Sequence, residues 1–249
     1  MRSRPRVGVS AHRCLTREAV EAALALDVDF VEFDLQRCGD GTLVVHHDPV
    51  LDVDGREVPL RRVSGAEARA LRPGLLSYDE VLTLLAGRRR AHIDLKASAA
   101  RSATAVAAVG RAVEALGPEG FVVTTGRDET VREIRDWADN QGMTVLAGLS
   151  LGRNTRGFSP WEQLRIRWSE LMPGRRVRQS RATVVVAHHS LALLGVARFA
   201  RRHDLPLLVW TVDTPGALRH WMRPGRAWLV TTNHPALALR VRAAERIRS

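Results

Sequence analysis

Apolar runs of about four to eight residues alternate with helix-period segments along almost the whole chain, and no other feature restricts the fold as much. The series begins with the strand-like RVGVSAH (6–12), a helix from Thr16 to Leu26 and the strand FVEFDLQR (30–37). A turn, CGDG (38–41), leads into TLVVHHD (42–48), which reads as a hairpin extension of the second strand. There follow helix SYDEVLTLLAG, strand AHIDLKA (91–97), helix 103–116, strand FVVTTG (121–126), helix 128–141 and strand TVLAGLSLG (144–152). The second half adds a helical region at 160–172, strand TVVVAHH (183–189), helix 191–203, strand PLLVWTV (206–212), helix 214–222, strand AWLVTTN (227–233) and a last helix from Pro235. Eight β/α units with nothing left over predict an α/β fold, a (β/α)8 TIM barrel. A doubly wound open sheet is the alternative, but no strand is followed by a Gly-rich phosphate loop. With 249 residues, 45% of them hydrophobic, and no low-complexity linker, a single domain spanning 1–249 is expected.

The opening MRSRPRVGVSAH lacks the apolar stretch of a signal peptide and no later run reaches a membrane span, so a soluble cytoplasmic protein is expected. Two cysteines, Cys14 and Cys38, are too few for a disulfide framework and read as reduced thiols. The formal charge of +11 raises the question of a nucleic-acid or membrane partner. However, the arginines are spread along helices, and the clusters GRRRAH (87–92) and PGRRVRQSR (173–181) lack interleaved aromatics to stack on bases. No nucleic-acid partner is expected, and at most a weak peripheral attraction to acidic lipid. Oligomeric state is not legible. Among 38 basic residues Lys96 is the single lysine, which suggests that a compact point charge is needed there.

Barrel enzymes carry their chemistry at the carboxyl ends of the strands. Polar residues collect there: His12 and Arg13 end the first strand, Glu32 and Asp34 lie late in the second, Asp94 and Lys96 end the third, and Trp210 and Thr211 come late in the seventh. Strand alternation puts Glu32 and Asp34 on one face, and His92, Asp94 and Lys96 likewise on one face. Three carboxylates crowded into a barrel mouth need protonation, cationic partners or a metal ion. All-oxygen ligation suits Mg²⁺ or Ca²⁺. Pairing with Arg13, Arg37 and Lys96 explains the same spacing equally well, and both readings stay open.

The ordered set AHRC, VEFDLQRCGDGTLVVHHD, HIDLK, VWTVD and LVTTNHP resembles the glycerophosphodiester phosphodiesterase family, of the PLC-like phosphodiesterase barrels, over nearly the whole chain. The family pattern runs His-Arg-Gly, Glu-x-Asp, Asp-Gly with His-Asp, Glu-x-Lys, Trp-Thr-Val-Asn and Thr-Asp-x-Pro. The resemblance implies a metal-dependent barrel hydrolase that converts glycerophosphodiesters to glycerol 3-phosphate and an alcohol. It implies Glu32, Asp34 and Asp94 as ligands of one divalent cation, and His12 and His47 as the acid/base pair. His47 matches rather than His46 because it precedes Asp48. Arg13 and Lys96 match phosphate-contacting positions and Trp210 a pocket-lining one. Four positions depart from the pattern: Cys14 for Gly, Asp94 for Glu, Asp213 for Asn and Asn233 for Asp. Cys14 puts a side chain where the family's backbone nears the phosphate.

Such residues suit phosphodiester cleavage: cations neutralise charge growing on the equatorial oxygens, while one imidazole deprotonates the nucleophile and the other protonates the departing alkoxide. The resemblance implies a small-molecule or lysolipid phosphodiester as substrate. A lysophospholipase D or sphingomyelinase D-like activity on lipids is the close alternative, and the amphipathic segment 153–173, with Phe158, Trp161, Trp168 and Leu171, is a candidate lining for its acyl channel. A catalytically inactive phosphate-binding barrel is a third reading. His46 is expected to pack away from the site, His92 to lie away from the mouth, His188 and His189 to stand on the rim, and Tyr78 to pack at a helix start.

Overall fold

The computed structural model describes residues 6–152, 159, 161, 170 and 172–247. Its strands are β1 (Gly8–Ala11), β2 (Phe30–Arg37), β3 (Leu43–Val45), β4 (Val50–Val53), β5 (Arg56–Pro59), β6 (Arg90–Leu95), β7 (Phe121–Thr125), β8 (Leu146–Leu151), β9 (Val184–His188), β10 (Leu207–Trp210) and β11 (Leu229–Thr232). Eight of these, β1, β2 and β6 to β11, are parallel neighbours in that order, and β1 pairs with β2 on one side and β11 on the other. The sheet is therefore closed, which removes its edges, and the TIM-barrel expectation is borne out. β3 returns antiparallel to β2, as the expected hairpin extension, with Leu35 opposite Val45.

Alternation along the strands sorts the side chains. Val31, Phe33, Leu35, Val185 and Val209 face outward into the large apolar layer beneath the helices. Phe30, Val122, Val184, Val186, Leu208 and Leu229 form a separate apolar cluster inside the barrel. Each such large side chain, once buried, contributes about 1.5–3 kcal/mol of transfer free energy. Along the inward face of β2 the sequence then changes from Phe30 to Glu32 and Asp34, so the barrel interior turns polar toward its carboxyl end.

The helices begin where the sequence offers caps. Thr16 Oγ1 accepts the Ala19 amide at 3.2 Å to start α1 (Arg17–Leu24). Ser64 with Glu67 and Ser77 with Glu80 form capping boxes for α2 (Gly65–Leu71) and α3 (Tyr78–Leu85). Tyr78 is buried at the start of α3, as expected, and its hydroxyl donates to the Ala108 carbonyl at 2.9 Å. The turn into β3 depends on its glycines: Gly41 has φ +95°, and a Cβ on Gly39 would stand 2.8 Å from the Arg61 carbonyl oxygen.

Two stretches differ from the sequence reading. Residues 50–71 contain a second, two-stranded hairpin, β4–β5, and α2, neither of which was expected. The expected helix 191–203 is interrupted by a π-helical segment, Ala192–Val196, because Gly195 takes φ 143°. It resumes at Ala197–Arg202. Most of the helical region expected at 160–172, and of the amphipathic segment 153–173 with Phe158, Trp168 and Leu171, lies outside the described residues, while Trp161 is 81% exposed. No described helix is long and apolar enough to cross a membrane.

Candidate active site

At the carboxyl ends of the strands a cavity of about 380 Å³ is lined by His12, Arg13, Glu32, Asp34, His47, Asp94, Lys96 and Trp210, every site residue expected from the sequence. Strand register accounts for the convergence of the acids. Asp34 on β2 stands beside Asp94 on β6, and Glu32 beside His92.

Lys96 Nζ lies 2.7 Å from both Asp34 Oδ1 and Asp94 Oδ2. Burial opposes its positive charge, but the two carboxylates outweigh that and raise its pKa. Burial likewise works against ionisation of Asp94, yet Lys96 and a hydrogen bond from Thr124 Oγ1 (2.9 Å) pull its pKa down. Glu32 is in the opposite situation: burial, with Asp34 beside it, pushes its carboxyl well above the usual range. The Arg13 backbone N–H, 2.5 Å from Glu32 Oε2, offsets this in part. Asp34 Oδ2 is buried with no hydrogen-bond partner. Expected ion pairing is therefore present at Lys96, where it engages Asp34 and Asp94. Arg37 takes no part, since it does not line the cavity.

Among the described residues no three His, Cys, Asp or Glu side chains form a ready-made metal cage. The donor chemistry nevertheless fits a hard cation on the Glu32 and Asp34 side, where two carboxylates line the cavity and a buried Asp34 oxygen lacks a partner.

The two histidines have their Nδ1 atoms committed. His12 Nδ1 lies 2.8 Å from Asn233 Oδ1, so it donates, and its Nε2 faces Glu32 Oε2 at 3.9 Å. Burial holds the His12 pKa below its ordinary value. His47 Nδ1 donates to Asp48 Oδ1 at 2.8 Å, and its Nε2 accepts from Arg13 Nη2 at 2.7 Å. Arg13 makes both of its contacts from a left-handed backbone, φ 54°, a conformation that costs a non-glycine residue about 1–2 kcal/mol.

The Cys14 side chain does not enter the cavity. It is buried in the outer apolar layer, with Sγ 3.6 Å from the Ala11 carbonyl oxygen, and burial pushes its thiol up to about 12. Cys38 is also buried, under the β4–β5 hairpin, and its thiol is pushed up to about 11.

His46 is buried and donates from Nε2 to the Val50 carbonyl at 3.0 Å, facing away from the cavity as expected. His188 packs edge-on against Trp210, with ring centres 5.6 Å apart, and does not line the cavity. His92 corrects the sequence reading: it lies on the cavity floor, not away from the mouth. Two residues along a strand amount to only about 7 Å, so His92 sits one layer beneath Asp94. A chain of hydrogen bonds runs from Ser10 Oγ (3.3 Å) through His92 to Thr124 Oγ1 (3.2 Å) and on to Asp94. Burial drives the His92 pKa down to about 4, so this ring is a neutral spacer. Sequence reasoning also missed the contact from Asn233 to His12. Its signal was position: a polar residue immediately beyond β11, the neighbour of β1.

Residues 11–91 match the glycerophosphoryl diester phosphodiesterase family model. That span takes in His12, Arg13, Glu32, Asp34 and His47 and ends before Asp94, Lys96 and Trp210. No curated protein matches the chain significantly. Among solved structures, a glycerophosphodiester phosphodiesterase from Parabacteroides distasonis is similar at TM-score 0.75 and 16% identity, covering 98% of this chain and 100% of its own. One from Thermotoga maritima gives 0.67 and 18%, covering 96% and 99%. An Oleispira antarctica phosphodiesterase, solved with the product sn-glycerol-3-phosphate, gives 0.67 and 14%, covering 99% and 98%. The resemblance read from the motifs is thus borne out by the family model over residues 11–91, and the solved structures share the barrel fold over nearly the whole chain.

Proposed function

We propose that this chain hydrolyses glycerophosphodiesters to glycerol 3-phosphate and an alcohol, with one divalent cation, Mg²⁺ or Ca²⁺, as cofactor. One observation carries the reading: two imidazoles, each with Nδ1 engaged in a hydrogen bond, line the same acid-rich cavity as Arg13 and Lys96. Glu32, Asp34 and Asp94 would hold the cation, which when bound polarises a phosphoryl oxygen as a Lewis acid.

The chain's own groups supply the rest. Arg13 and Lys96 bind the phosphate oxygens and neutralise charge where it develops. His12, with Nδ1–H donated to Asn233, presents a bare Nε2 and serves as the base that takes the nucleophile's proton. His47 protonates the departing alkoxide. Its Nδ1 partner, Asp48, is a carboxylate, the kind of group that stabilises an imidazolium. Arg13 now occupies His47 Nε2, so on this scheme the phosphate draws the guanidinium away and frees that nitrogen. Each proton transfer contributes on the order of 10²- to 10⁴-fold in rate. Trp210 lines the wall beside the substrate.

A lysolipid substrate is the second reading. Trp161 and Met172, 81% and 61% exposed, lie on the connection leaving the carboxyl end of β8, the mouth side of the barrel. Relative kcat/KM on glycerophosphocholine and lysophosphatidylcholine separates the two.

The test is hydrolysis of bis-p-nitrophenyl phosphate by the purified protein. Turnover that is lost in EDTA and restored by Mg²⁺ or Ca²⁺ is expected. Phosphate binding without turnover under any added metal would overturn the proposal and leave the inactive-barrel reading.

A further inference from the structure

Asn233 is not the end of the chain of contacts behind His12. Its Nδ2 donates to Asp213 Oδ2 at 2.7 Å, and its backbone N–H donates to Asp213 Oδ1 at 2.8 Å. Thr232 Oγ1 donates to the same Oδ1 at 3.0 Å. Asp213 and Asn233 follow β10 and β11, adjacent strands, and β11 in turn pairs with β1, which His12 follows. Three successive staves of the barrel thus bring an imidazole, a carboxamide and a carboxylate into line at the rim.

The chemistry of this line is directional. An ionised carboxylate can only accept, so the Asn233 amide must turn Nδ2 toward Asp213 and Oδ1 toward His12. An amide oxygen can only accept, so a neutral His12 must carry its proton on Nδ1. Nε2 is then left with its lone pair on the cavity side. We infer that Asp213 is a positioning residue: by locking the Asn233 amide it selects the Nδ1–H tautomer of His12 and so supplies the bare Nε2. Asp213 does not line the cavity, and its hydrogen-bonded link to the ring runs through Asn233.

The same geometry accommodates the two departures from the family pattern, at positions 213 and 233, as a pair. With Asp213 and Asn233 exchanged, the residue at 233 would be a carboxylate accepting from His12 Nδ1–H and from an amide at 213. That amide's oxygen would still accept the backbone N–H of residue 233. Every donor and acceptor stays matched. Either substitution alone breaks the match. Asp213→Asn sets two amides face to face, and Asn233 must flip to present its oxygen to residue 213. Nδ2 then points at His12 and stabilises the opposite, Nε2–H tautomer. Asn233→Asp instead sets two carboxylates in contact.

The tautomer is read directly by ¹⁵N NMR of the histidine side chains in the intact protein, with His12→Gln used to assign the ring. In the unaltered protein His12 Nδ1 should carry the proton, in D213N it should move to Nε2, and in D213N/N233D it should return to Nδ1. The part of the inference that concerns rate rests on His12 acting as base in the proposed hydrolysis. There, kcat should fall on the order of 10- to 100-fold in D213N with KM nearly unchanged. This is less than the full worth of a proton-transfer group, because Asn233 is exposed at the rim and water competes for its amide. The double exchange should recover most of the loss, which a merely structural role for Asp213 would not produce. If His12 keeps its Nδ1 proton in D213N, or if the exchange restores neither tautomer nor kcat, the inference is overturned. A protein with no activity on any phosphodiester, but with the expected tautomer inversion, would refute the proposed reaction and leave the Asp213 assignment standing.

Discussion

The two histidines face one cavity from walls of different construction. On the His12 wall the side chain is 14% exposed, sits in contact distance of buried Glu32, and is backed by Asn233 and Asp213 from two successive barrel strands. On the His47 wall the side chain is 32% exposed and its carboxylate partner, the adjacent Asp48, 65%. That ring follows a short strand, β3, outside the closed barrel, and its inner nitrogen is held by a long arginine side chain. The first wall fixes a ring by packing and by strand register. The second holds a ring with contacts that, on the proposed function, substrate replaces. On that proposal one imidazole is preset and the other is released on binding, which gives reason to build them differently.

Removing either ring is the severest way to probe this difference. His12→Ala and His47→Ala are each expected to reduce kcat on the order of 10²- to 10⁴-fold on a phosphodiester while the far-UV circular dichroism keeps its native shape. A fully active His47→Ala protein would mean that the second wall takes no part in proton transfer. Arg13→Gly comes next, since it deletes the guanidinium without leaving a Cβ in left-handed backbone. Loss of a charge-assisted contact to phosphate, worth about 1.5–3 kcal/mol, should raise KM roughly 10- to 100-fold. An unchanged KM would show that Arg13 serves only to hold His47. Asp48→Asn is the mildest change. With Asp48 so exposed, its pairing is screened by water, and kcat should fall by less than about threefold. A loss above tenfold in steady-state kinetics would put the two walls on an equal footing.

What was legible in the sequence follows the same division between strand-bound and loop-bound residues. Glu32, Asp34 and Asp94 could be set on shared faces because alternation along a strand leaves no choice, and eight repeats of strand and helix fixed where those faces converge. His92 was assigned correctly to the face of Asp94 but misjudged in depth, because the layer spacing inside a barrel is short compared with the cavity. The hairpin β4–β5 carried a readable signal, Asp54–Gly55 between alternating apolar residues, and both turn residues do take positive φ, 51° and 77°. Strand-and-helix periodicity hides it, because a stretch between two barrel strands reads as only a connection. Asn233 and Asp213 lie 20 residues apart, and their meeting depends on the relative heights of β10 and β11, which periodicity does not encode. Cys14 was read as an intrusion on the phosphate, yet the chain turns its thiol outward into the apolar layer, where burial stabilises it.

On the proposed function this barrel mouth cuts a phosphodiester on the side that leaves phosphate on glycerol. ³¹P NMR of glycerophosphocholine incubated with the protein and Mg²⁺ or Ca²⁺ tests it most directly. The expected result is a growing sn-glycerol 3-phosphate resonance that is absent with the His12→Ala protein. A phosphocholine resonance in its place, or an unchanged diester under either metal, would contradict it.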